Sequence, residues 1–189
     1  MRTIVFLLEE LSAKEMLINL FNKLNFSSED FDIKFIVFEG KQDLDRNLES
    51  KIKNFLVPDT FFIILRDQDQ SNCINLKDRL RKKVNNTGKS ERVLIRIACH
   101  ELETFYLGDL QAVENAYSIA NLAKTKSYKA KFRNPDNLLN PARVLKSITK
   151  EQYQKVIGSR KISKYLNLEN NKSKSFNALI NGIKKIIST

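Results

Sequence analysis

The sequence predicts an α/β fold, a mostly parallel sheet flanked by helices, followed by a basic helical C-terminal portion. Three observations carry this. Short apolar runs alternate with stretches of helical periodicity as far as residue 99. One of those runs, FFIIL at 61–65, is continuously apolar, as befits a strand covered on both faces. Beyond Cys99 no further strand-type run follows, and helical patterns continue to the end.

Residues 3–8 (TIVFLL) are β-branched and apolar and read as the first strand. Ser12 and Glu15 have the spacing of a capping box, ahead of Met16, Leu17, Leu20, Phe21 and Leu24 at helical intervals. FDIKFIVF (31–38) alternates Phe31, Ile33 and Phe35 with Asp32 and Lys34, a half-buried strand. Gly40 ends it, and Asp43 is placed to cap a helix bearing Leu44, Leu48, Ile52 and Phe55. Pro58-Asp59 turns the chain into the third strand, 61–65. A helix with Leu76, Leu80 and Val84 closes at Asn85–Gly88, and VLIRIAC (93–99) is the fourth strand. ELETFYL and DLQAVENAYSIA then read as helices. Asn140 is placed to cap a helix starting at Pro141, Thr149 and Gln152 suggest a second capping box, and Gly158 a stop. Phe176, Leu179, Ile180, Ile183 and Ile187 mark the last helix. The expected division is a core over 1–110 and a basic helical portion over 111–189, packed together as one compact domain.

Charge divides the chain at the same place. Residues 1–110 carry 17 Lys/Arg against 18 Asp/Glu; residues 111–189 carry 16 against 4, which accounts for the net charge of +11. Acidic groups suited to a metal thus lie in one half and the attraction for a polyanion in the other. With 42% hydrophobic residues the chain is globular, and no apolar run approaches the roughly 20 residues of a membrane helix. The opening MRTIVFLLEE ends in glutamates rather than a cleavage site, so it reads as a strand and not a signal peptide. Two cysteines, Cys73 and Cys99, and one histidine exclude a zinc-type ligand set and suit a reducing cytoplasm.

Acidic residues follow three of the four strands: Glu9 and Glu10 after the first, Asp67 and Asp69 (in LRDQDQ) after the third, Glu101 and Glu103 after the fourth, with Asp109 shortly beyond. In parallel sheets, ligands bind beyond the carboxyl ends of the strands. Hard cations such as Mg²⁺ or Mn²⁺ take carboxylate oxygens and water, and a pair of them about 4 Å apart serves phosphodiester displacement. A D-x-D pair alone also occurs in plain turns, where Asp caps the next helix. Its order here, between glutamates that end two other strands, is what points to a metal-dependent endonuclease acting on DNA or RNA.

The order Glu9, Asp67-x-Asp69, Glu103 resembles the Toprim fold of topoisomerases, primases and OLD-type nucleases. More closely, LLEELSAKEML, FEGKQDL, LRDQDQSNC, RIACHELETFYLGDL, KFRNPDNLLNPA, YQKVIGSRKISKYL and NKSKSFNALINGI resemble the Toprim-like DUF4276 family over nearly the whole chain. The resemblance implies that Asp67 and Asp69 bind Mg²⁺ or Mn²⁺, and that the first-strand glutamate binds metal or moves a proton. It also implies that Glu103 matches the later glutamate of Toprim-like defence nucleases. Glu10 stands where Toprim proteins often have glycine, which leaves Glu9 and Glu10 both as candidates for the catalytic glutamate. The resemblance further implies a bacterial anti-phage setting with a partner ATPase of the ABC or OLD type.

Further candidates surround this set. His100, beside Glu101, has the chemistry of a general acid, though a lone histidine is more often structural. Lys41, after Gly40, is a candidate phosphate contact, and Arg66 a counter-charge to Asp67. KTKSYKAKFR (124–133) interleaves Tyr128 and Phe132 with cations including Lys126, Lys129, Lys131 and Arg133, a pattern suited to stacking bases and neutralising phosphates, or to anchoring a loop. QKVIGSRKISK (154–164) offers Lys155, Arg160 and Lys161 around a Gly-Ser turn. The rival readings are a non-catalytic subunit that grips nucleic acid or an ATPase, and a D-x-D glycosyltransferase.

Overall fold

A computed structural model describes residues 1–24 and 29–188. Four strands, β1 (Arg2–Leu8), β2 (Phe31–Val37), β3 (Thr60–Asp67) and β4 (Val93–Ala98), form an entirely parallel sheet in the order β2-β1-β3-β4. Helices α1 (Leu11–Phe21), α2 (Lys41–Lys53) and α3 (Cys73–Asn85) connect successive strands. The chain after β4 is helical: α4 (Glu103–Leu107), α5 (Leu110–Tyr117), α6 (Lys126–Lys131), α7 (Pro141–Ile148), α8 (Lys155–Ser163) and α9 (Lys174–Ile187). Among the described residues no helix is long and apolar enough to cross a membrane.

Strand alternation sorts the core into two layers. Val5, Leu7, Phe62, Ile64, Ile95 and Ile97 face Leu44, Leu48 and Ile52 of α2 and Leu76, Leu80 and Val84 of α3. Ile4, Phe6, Leu8, Ile63 and Leu65 face the other way, onto α1 and the helices that follow β4. Both faces are thus covered, as the unbroken run at 61–65 requires. Phe6 packs at 5.4 Å from Phe21 and 5.5 Å from Phe35, each such pair contributing about 0.5–1.5 kcal/mol beyond its burial.

The strand order decides where the site lies. The chain leaves β1 toward β2 on one side and leaves β3 toward β4 on the other. Their outgoing loops therefore diverge, and a crevice opens between the carboxyl ends of β1 and β3.

Several expected caps are made by other groups. Glu10, not Ser12, is the N-cap of α1, and the Ser12 hydroxyl donates to the Glu10 carboxylate at 3.1 Å. Asp43 lies inside the first turn of α2 and accepts from the backbone N–H of Glu39. Asn140 does precede α7, but its side chain makes no cap; Glu101 accepts the Ala142 N–H at 2.8 Å instead. The Thr149 hydroxyl accepts from the Tyr153 N–H and no helix starts there. Gly158 does not stop a helix either. It lies buried within α8, where an added Cβ would fall 2.3 Å from the Tyr153 ring and 2.9 Å from the Tyr117 hydroxyl.

Gly158 is therefore needed for close approach. Glycine to alanine in an open helix gains about 1 kcal/mol. Here the overpacking reverses the sign: Gly158→Ala is expected to lose about 1–2 kcal/mol in urea denaturation.

Candidate active site at the strand ends

Glu9 directly follows β1 and Asp67 is the last residue of β3, paired with Ala98 of β4; both are buried. Glu9 Oε2 accepts from the Arg66 guanidinium at 2.9 Å and from the backbone N–H of Asp67 at 3.1 Å. Glu10 sits beside them and receives Lys155 Nζ on both oxygens, at 2.7 and 2.8 Å. Glu103, fully buried at the start of α4, accepts from the Tyr153 hydroxyl at 2.8 Å through Oε1, while its Oε2 has no hydrogen-bond partner. A crevice of about 10 Å³, room for one water-sized or ion-sized occupant, separates Glu9, Glu10 and Asp67.

These groups feel one another. Burial, then repulsion from Glu9, Glu103 and Glu10, holds the Asp67 carboxyl well above the usual carboxylate range. Burial also raises Glu9, against the opposing pull of Arg66, and raises Glu103, against Lys155 and Tyr153. The Lys155 ammonium is held above its ordinary value despite burial, chiefly by its hydrogen bonds to Glu10 and by the charge of Glu103. The Tyr153 phenol is pushed far up by burial and by Glu103.

Asp69 turns away from this crevice. Its backbone is left-handed (φ 52°), and its carboxylate meets Lys41 Nζ at 3.1 Å and Arg66 at 3.6 Å. Arg66 thus lies among Glu9, Asp69 and Asp45, the last at 3.5 Å, and is itself almost wholly buried. Asp69 belongs to a separate open cavity of about 620 Å³ shared with Lys41, His100, Glu101, Leu139 and Asn140.

Among the described residues, no three His, Cys, Asp or Glu side chains converge tightly enough to hold a metal ion. The four expected ligands are brought to neighbouring strand ends, but the protein's own cations neutralise three of the acidic groups there: Arg66 for Glu9, Lys155 for Glu10, Lys41 for Asp69. The donor set nevertheless suits a hard divalent cation. It is all oxygen, it is crowded with like charge, and one buried oxygen, Glu103 Oε2, is orphaned.

The remaining candidates separate by geometry. Asp109 caps α5 through Ala112 and accepts the Asn167 N–H, a structural tie. His100, also left-handed (φ 57°), lines the open cavity, and its carbonyl accepts the Asp69 N–H at 2.7 Å. The stretch 154–164 is not a turn but contains α8, so the N–H groups of Gly158 and the residues after it are spent within the helix. Arg160 reaches Glu15 on α1, and Lys161 lies 5.6 Å from the Tyr117 ring centre. Lys126, Lys129, Lys131 and Arg133 are exposed on and just after α6, without a carboxylate partner among the described residues. The aromatics between them serve packing: Phe132 is fully buried and Tyr128 lies against it at 5.8 Å. Periodicity marked neither Tyr153 nor Asp45 as part of the site; they reach it from α7–α8 and α2 through tertiary contacts alone. Leu139, 72% exposed on the cavity wall, was equally silent.

Asp67 gives a pH signature. Its pKa in the folded protein exceeds its unfolded value near 3.9, so folding favours its proton and the ionised carboxylate costs stability. The cost is absent below the unfolded pKa, grows as pH rises from there and is full above the folded pKa. In EDTA, Asp67→Asn is expected to melt higher than the wild type at neutral pH, the advantage vanishing toward about pH 4. Added Mn²⁺ is expected to raise the wild-type Tm and leave the variant unmoved.

Comparison with known proteins identifies the family and the fold. Residues 7–184 match the family described as "Domain of unknown function (DUF4276)". The structure is similar to that of the C-terminal region of the Burkholderia pseudomallei OLD protein, with a TM-score of 0.59 at 14% identity, over 98% of this chain and 96% of that one. No curated protein sequence matches the chain. The family match begins within β1 and ends within α9: the chain belongs to the DUF4276 family, and its fold is Toprim-like.

Proposed function

We propose that the protein is a metal-dependent nuclease that cleaves a phosphodiester bond in DNA or RNA. The observation that supports this most is the crowding of Glu9, Glu10, Asp67 and Glu103 at one end of a parallel sheet. Each of them except Glu10 is buried, and Glu103 keeps one oxygen without a partner. A fold gains nothing in stability from placing like charges together away from water. The arrangement makes sense as a site whose missing partner is cationic.

Glu9, Asp67 and Glu103 would hold Mg²⁺ or Mn²⁺, joined by Asp69 once it leaves Lys41. A bound ion there supplies Lewis acidity at a phosphoryl oxygen and a more acidic water. Glu10, only half-buried, would be the carboxylate placed to take up a proton beside the reacting phosphate. Lys155 would keep a positive charge beside the reacting phosphate. Tyr153 fixes the orientation of Glu103, and Arg66 that of Glu9. Lys126, Lys129, Lys131 and Arg133 offer phosphate contacts away from the chemistry. An ATPase partner and a role in anti-phage defence belong to the same proposal, by way of the OLD-type likeness.

One observation favours a second reading, a binding subunit without catalysis: three carboxylates are already neutralised by the protein's own cations. Cleavage assays separate the two. Wild-type protein with Mn²⁺ or Mg²⁺ is expected to cut single- or double-stranded DNA or RNA, and Asp67→Ala to lose at least about 100-fold in rate. An intact substrate under every metal, or equal cutting by Asp67→Ala, rejects the nuclease.

A further inference from the structure

The open cavity beside the carboxylates has features the metal chemistry leaves unexplained. Its volume, about 620 Å³, falls in the range that encloses a molecule of drug size. Four chain segments build it: the start of α2 (Lys41), the loop after β3 (Asp69), the loop after β4 (His100, Glu101) and the residues before α7 (Leu139, Asn140). Three of these residues, Asp69, His100 and Asn140, hold left-handed backbone (φ 52°, 57° and 52°). Asp, His and Asn are the residue types that adopt this conformation most readily, and contacts across the cavity hold it in place. The enforcing contacts are present. The Asp69 N–H donates to the His100 carbonyl at 2.7 Å, and Glu101 accepts the Ala142 N–H at 2.8 Å, tying the Leu139–Asn140 wall to the end of β4.

The lining is mixed. Lys41, at the first position of the 13-residue α2 and paired with Asp69, brings an ammonium and a helix N-terminus, both of which favour an anion. Leu139 brings an aliphatic side chain 72% exposed, and Asn140, His100 and Glu101 add polar residues to the wall. A cation for phosphate, an apolar face and polar groups for a base: these are the requirements of a nucleotide. A base stacked and paired within a duplex has neither a free face for Leu139 nor a free edge for Asn140, so a duplex meets this wall only by fraying or by turning a base out of its stack.

We propose that this cavity takes one unpaired nucleotide of the substrate strand, next to the scissile phosphate, with its base against Leu139 and Asn140. This rests on the nuclease reading and narrows its substrate to single strands, ends or extruded bases. Fluorescence anisotropy tests it without cleavage, using labelled 12-nucleotide DNA and RNA in EDTA and again in Ca²⁺. The wild type is expected to bind a single strand about tenfold tighter than the blunt duplex of the same sequence, and to lose about fivefold on a strand carrying abasic sites. Leu139→Ser, at an exposed position, is expected to lose the same fivefold on the normal strand and nothing on the abasic one. Asn140→Gly, which the left-handed backbone tolerates, is expected to alter the ranking of homopolymer strands. Equal affinity for single strand, duplex and abasic strand, or wild-type binding by Leu139→Ser, overturns the cavity proposal and leaves the nuclease standing. Binding of no nucleic acid under either condition overturns both.

Discussion

The structure depends on the neutralisation of like charge at the carboxyl ends of two adjacent parallel strands. Glu9 and Asp67 leave β1 and β3 side by side, with Glu10 and Glu103 close by, in surroundings that exclude most water. Ionised carboxylates cannot be kept there without compensation. Arg66, buried to the same degree, answers Glu9 and reaches toward Asp45 and Asp69. Lys155 answers Glu10 from α8, and Lys41 answers Asp69 from α2. The sheet sets the acids together, and three separate elements bring the cations.

That division of labour explains why the two halves of the chain differ so much in charge. The acidic core supplies the carboxylates and the basic half supplies Lys155 and Arg160, which pair with Glu10 and Glu15 across α1 and α8. Part of the excess positive charge is thus internal glue. Such pairs are modest where exposed, as Arg160 is. The surplus on α6 is different in kind, since no carboxylate among the described residues answers it.

How much of this could be read from the sequence follows from how local each signal is. The strands and the parallel character of the sheet were legible, because apolar runs and the β–α alternation are near-neighbour patterns; the strand order was not. The acidic cluster was legible because its members lie at, or a few residues beyond, strand ends. Caps were read less well: Ser12, Asn140 and Thr149 had the right residue types, but α1 has no side-chain cap and Glu101 caps α7 through a contact that spacing does not record. Gly158 was misread for the same reason. A glycine that admits a neighbouring ring and one that ends a helix look alike until Tyr153 is in place. The α6 aromatics suited either a stacking platform or an anchor, and burial of Phe132 decides for the anchor. The separation of Asp69 from Asp67 rests on one left-handed residue, which D-x-D spacing does not encode.

The pairing of Lys155 with Glu10 spans 145 residues, and Tyr153 reaches Glu103 across 50. During synthesis Arg66 and Lys41 emerge with the sheet, but Glu10 and Glu103 emerge from the ribosome well before the groups that quiet them. Until α8 docks on α1, Glu10 stands without its lysine and Glu103 without its tyrosine. The site is assembled last although its acids are made first, so any nascent or truncated chain ending before α8 carries the acids without the positive charge the proposed chemistry uses.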